Sequence, residues 1–96
     1  MTTNAAAESY MRGWSFAASG QSGDLEGTDP SHERGRAAGI AALACVAGRS
    51  IEYREGWKDA ARGPVHSDRL GAYKLGATDG EAARLAASVA AQKMSV

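Results

Sequence analysis

Arg54, Lys58 and Arg62 stand at i, i+4 and i+8, a spacing that lines three cations along one side of a helix beside Tyr53 and Trp57. Glu52, Glu55 and Asp59 take the opposite flank, and Arg34, Arg36 and Arg49 add cations from the segment before. Cations beside aromatic rings suit contact with phosphates or with an acidic protein surface. Arg34, Arg36, Arg54, Lys58 and Arg62 are therefore the candidate residues for binding RNA or a protein partner. A solvated, salt-bridged helix surface is the simpler reading of the same charges.

Other chemistry finds no support. His32 and His66 are isolated, without a second ligand at metal-binding spacing, and are expected to be exposed or capping. Cys45 lies in the apolar run LACVA and is expected to be a buried, inert thiol. Asp24, Glu26 and Asp29 lack the ligand order and terminal Glu of a calcium loop. The glycines are interspersed and do not form a phosphate-binding loop. No catalytic residue, metal or cofactor is expected, and the chain reads as non-enzymatic.

Composition narrows the classes further. The 96 residues allow one domain, and 11 basic residues balance 11 acidic ones. Zero net charge argues against a general polyanion binder and against an acidic mimic of DNA. Alanine supplies about half of the apolar residues, so the large side chains make a thin core. Such a core favours closely packed helices and further burial against another copy or a partner. A homo-oligomer is thus expected. A single cysteine, no export signal and no apolar run long enough to span a bilayer point to a cytoplasmic protein without membrane contact.

The elements that hold these residues are legible from a repeat. YMRGWSFAASG returns as YREGWKDAARG, with Tyr, Gly, Trp, Ala, Ala and Gly in register. Tyr10, Gly13, Trp14 and Ala17 share one helical face, and Tyr53, Gly56, Trp57 and Ala60 repeat it. Gly20 and Gly63 are positioned to stop these helices, with Pro64 after the second. Asp29 and Pro30 read as the N-cap and first position of a helix running to Ala47, closed by Gly48. Ser50 is expected to cap the third helix and Ser67 the fourth, and Thr78 with Glu81 predicts a break or kink near Gly80. Beyond Ala91 the end is expected to fray.

The expected fold is all-α: a single domain over 1–96, with a first hairpin over 7–48 around a long loop at 20–30, and a second over 50–92. The second helices align only loosely, Arg34–Gly39 against Arg69–Gly76. Glycine within a helix costs about 1 kcal/mol relative to alanine. Gly13/Ala17, Gly35/Gly39, Gly56/Ala60 and Gly76/Gly80 nonetheless form small-x-x-x-small pairs. Such pairs predict close helix approach, with Trp14 and Trp57 packed into glycine grooves on facing helices. Tyr10, Trp14, Tyr53 and Trp57 as an exposed platform for stacking bases is the competing arrangement.

From Tyr10 to about Ala42 the chain resembles the ribosome modulation factor family, through Gly13, Trp14, Ala17, Gly20, Pro30, Arg34 and Gly39; GWKDA in the second copy is similar to an element of that family's second helix. The resemblance implies two helices joined by a loop and binding to the small ribosomal subunit, with translation held silent. The expected function is stoichiometric, non-enzymatic contact with the ribosome or RNA. The alternatives are a small phage-type inhibitor of a bacterial defence protein complex and an oligomer that sequesters a nucleotide.

Overall fold

The computed structural model describes residues 5–21 and 29–93. Its elements are α1 (Ala5–Ala18), α2 (Pro30–Ala44), α3 (Ile51–Arg62) and α4 (Ala72–Lys93). No strand occurs among the described residues. The fold is a small bundle of two helical hairpins: α1 packs along α2, and α3 along α4.

Local chemistry sets most of the ends. Gly20 has φ 84°. Its N–H donates to the Ala17 carbonyl (3.0 Å) and Gln21 N–H to that of Phe16 (3.2 Å), a Schellman closure of α1. Asp29 caps α2 by accepting from His32 N–H at 2.8 Å. The Ser9 hydroxyl lies 2.9 Å from both oxygens of that carboxylate, so the cap also ties α1 to the start of α2. Ser50 caps α3 by accepting from Tyr53 N–H at 3.3 Å. Gly63, φ 146°, ends α3. The central part of the long loop, including Asp24 and Glu26, lies outside the described residues.

Three expected boundaries move. α2 ends at Ala44 rather than Ala47 and continues as short i→i+3 turns from Cys45 to Arg49, which carry Val46 into the core. Ser67 does not cap α4. The Tyr73 hydroxyl holds the chain between α3 and α4, accepting from His66 N–H at 3.0 Å and donating to Asp59 at 2.6 Å, and the helix starts only after Gly71. α4 runs unbroken through Gly80, which packs against the Trp57 carbonyl of α3, and the Thr78 hydroxyl donates back to the Lys74 carbonyl (2.9 Å) instead of capping a new helix. It continues to Lys93, beyond fully buried Ala91.

The glycines do what their missing side chains permit. A Cβ built on Gly35 would lie 1.9 Å from the Tyr10 carbonyl oxygen, and one on Gly13 would strike the His32 carbonyl. The second hairpin repeats this reciprocity: Gly76 meets the Tyr53 carbonyl and Gly56 the Tyr73 carbonyl. All four helices thus carry one unit, aromatic-x-x-Gly, headed by Tyr10, His32, Tyr53 and Tyr73. Gly39 and Gly80 extend each contact to the Trp14 and Trp57 carbonyls, with Ala17 and Ala60 beside them. The second helices therefore correspond as Gly35 to Gly76 and Gly39 to Gly80, not in the loose alignment expected above.

Backbone, not indole, occupies the glycine faces. The two indoles meet each other where the hairpins join, centroids 6.2 Å apart and planes at 47°. Tyr10, Tyr53, Val46 and the alanines Ala18, Ala61, Ala87 and Ala91 complete this core. α4 is longer than α2 by seven residues, and Ala87 and Ala91 in its final turns bury against the rest of that core.

Candidate interaction surface

The candidate cations are distributed rather than assembled. Arg34 is exposed and Arg36 half-buried on α2. On α3, Arg62 pairs with Asp59 at 3.1 Å. Lys58 lays its stem against Gly20 at the C-terminal end of α1, where its charge suits the helix dipole. Arg54 is half-buried, its Nε without a partner among the described residues. α2 and α3 barely touch, so Arg34 and Arg36 do not join the α3 row through a packed helix pair.

Two arginines outside the candidate set are committed to tyrosines. The Arg49 guanidinium lies 3.8 Å from the Tyr53 ring centre, and that of Arg69 4.1 Å from Tyr73 while it also pairs with Glu55 at 3.1 Å. Each ring's hydroxyl donates to a carboxylate on the facing helix, Tyr53 to Asp79 and Tyr73 to Asp59. Arg-x-x-x-Tyr-x-x-Gly-x-x-Asp therefore occurs twice in the second hairpin and closes on itself reciprocally. The hydrogen bond to Asp79, burial and that carboxylate's charge raise the Tyr53 pKa above its usual value; for Tyr73 burial leads, followed by the bond to Asp59.

The aromatic platform does not form. Tyr10, Trp14, Tyr53 and Trp57 are at most 8% exposed, so no base can lie on these rings. His32, expected at the surface, is 6% exposed because it heads the aromatic-x-x-Gly unit of α2; its Nδ1 has no partner among the described residues. His66 is exposed. Cys45, expected buried, is exposed, because the helix gives way at Ala44 and Val46 turns inward in its place. Among the described residues no three His, Cys, Asp or Glu side chains converge as a metal site. No helix there is long and apolar enough to cross a membrane.

The surface itself was not foreseen. Nine Leu, Ile and Val residues are described, and seven are exposed: Ile40, Ile51, Val65, Leu70, Leu75, Leu85 and Val89. Only Val46 is buried. Packing through glycine, alanine and aromatic rings leaves no room inside for the branched aliphatics. The densest exposed set is on α4, where Leu75, Ala82, Leu85 and Val89 share one stripe facing away from buried Tyr73, Gly76, Gly80, Ala87 and Ala91. Their spacing was a readable signal. Beside the stripe, Met11 and Ser15 of α1 and Glu81, Arg84, Leu85 and Ser88 of α4 line an open groove of about 420 Å³. The chain matches no protein-family model, no curated protein and no solved structure.

Proposed function

We infer that this is a non-enzymatic binding protein that acts by stoichiometric contact with protein. One observation carries the reading: seven of the nine described branched aliphatic residues face outward on a fold whose interior is already filled. Apolar side chains gathered on one helix face are what a protein interface requires, and water leaves them uncovered at a cost of about 25 cal/mol per Å².

A ribosome- or RNA-directed role is served by free cations at the phosphates and by free rings where bases stack. The rings are buried, and Lys58 and Arg62 of the candidate cations are engaged within the chain. Nucleotide sequestration in the groove is disfavoured by the Glu81 carboxylate in its wall, which repels phosphate beside Arg84. A small inhibitor that covers part of a protein complex fits the outward apolar residues better than either.

The test is affinity capture from lysate of the encoding organism, before and after nuclease, with proteins and RNA identified together. A protein retained in stoichiometric amount after nuclease, and lost with Ile40→Glu, is expected. Recovery of RNA alone, weakening steeply with salt, would replace this reading with the RNA-directed one.

A further inference from the structure

Within the reading that protein covers the apolar exterior, the occupant of one face can be named. We propose that α4 pairs antiparallel with α4 of a second copy, about a two-fold axis passing between Ala83 and Arg84. The stripe has the three-four spacing of a helix-pairing seam, Leu75, Thr78, Ala82, Leu85 and Val89, along a helix about 33 Å long. Leu75, Leu85 and Val89 are 61%, 62% and 53% exposed.

Shape selects the register. With the axis at this place, Leu85 of each copy lies opposite Ala82 of the other, and Val89 opposite Thr78. A large side chain meets a small one at both of these steps, and two-fold symmetry makes each pair occur twice.

Charge selects the same register. Glu81 and Arg84 stand together on the flank of the stripe that borders α1, and neither has an ion-pair or hydrogen-bond partner among the described residues. In an antiparallel pair this flank faces its own counterpart. Glu81 of one copy then comes within about 3 Å, along the helix axis, of level with Arg84 of the second copy, an offset that long side chains span. The same holds for Arg84 against Glu81, giving two equivalent ion pairs beside the central leucines. In a parallel pair this flank would instead face the opposite flank of the second copy, where Ala86 rather than Arg84 stands beside Glu81, and the charges stay uncompensated.

Sedimentation equilibrium on the full chain at submillimolar concentrations tests the assignment. The wild type is expected to be dimeric, and Leu85→Glu monomeric. Glu81→Arg and Arg84→Glu should each weaken association at least about tenfold, because each replaces both attractive pairs by repulsive ones. Mixed in equal amounts, these two variants should associate as a heterodimer. The two introduced side chains then face each other with opposite charge across the axis, and the native Arg84 of one variant faces the native Glu81 of the other. All the substituted positions are exposed, so circular dichroism should report the wild-type helix content throughout. A monomeric wild type, a charge reversal without effect on association, or a mixture that stays monomeric would each overturn the proposal. Those results leave the lysate capture untouched, so failure of the dimer and failure of the protein-binding reading are separately visible.

Discussion

The carbonyl oxygen of Tyr53 occupies the place a Cβ on Gly76 would need, and the carbonyl oxygen of Tyr73 does the same to Gly56. Each helix of the second hairpin thus presents a bare backbone to the other's aromatic turn. The first hairpin repeats the exchange between Tyr10 and Gly35 and between His32 and Gly13. Helices that approach so closely gain backbone dispersion contacts that an added methyl would abolish.

Gly76→Ala and Gly35→Ala should therefore destabilise the protein by about 3 kcal/mol or more, although alanine is the better helix former by about 1 kcal/mol. The obstruction is backbone, which cannot swing aside as a side chain can. Gly48→Ala is the control: nothing lies within 4 Å of the new methyl and its φ is not positive, so stability should hold or rise. Urea denaturation midpoints of the three variants check the contrast.

Trp14→Ala and Trp57→Ala should each cost about 3–5 kcal/mol, the range for emptying a buried aromatic site. Because the two rings touch, the double variant should lose less than the sum of the single losses. A double-mutant cycle in denaturant reads the coupling; strict additivity would mean that the hairpins are not joined through this pair.

The tyrosines set an alkaline limit. Folded Tyr53 and Tyr73 hold their protons above the ordinary value of 10.0, Tyr53 chiefly through its bond to Asp79 and Tyr73 chiefly through burial. Their contribution is fully present below the unfolded pKa and is lost as pH rises from there through the folded values. Stability should fall above about pH 10. Asp79→Asn should lower the tyrosinate titration midpoint of Tyr53, followed by ultraviolet absorbance.

Asp29 sets the acid side. Its carboxylate accepts from His32 N–H and from the Ser9 hydroxyl, and these bonds, the backbone one first, hold its pKa below the usual 3.8. That contribution is present above the unfolded value and is lost as pH falls through the folded one. Asp29→Ala should lower the melting temperature at neutral pH and flatten the part of the acid-side decline that comes from this group. Melting curves recorded from about pH 7 to about pH 3, a span that brackets the ordinary carboxylate range, check both.

Much of the architecture was written locally. The helix starts at Pro30 and Ile51 follow from side-chain caps at Asp29 and Ser50, and the stops at Gly20 and Gly63 from glycine at a positive φ. The buried faces of α1 and α3 followed from the spacing of Tyr10, Trp14, Tyr53 and Trp57. In each case residues a few positions apart supply the whole cause, so a linear reading can see it. Of the candidate binding residues, type and spacing were legible, but Lys58 and Arg62 already had neighbours that no spacing reveals.

What tertiary structure decided is which surfaces meet. The true correspondence of Gly35 with Gly76 depends on where the facing carbonyls lie, and the stretch between helices is shorter in the second hairpin, so the two copies fall out of register there. Whether Cys45 or Val46 turned inward, whether α4 broke at Gly80, and whether the indoles met glycine or each other were all settled by contacts between elements distant in the chain. The outward leucines of α4 have the same origin. Alanine and glycine were preferred inside because backbones approach closely there, and the larger aliphatics were left on the outside.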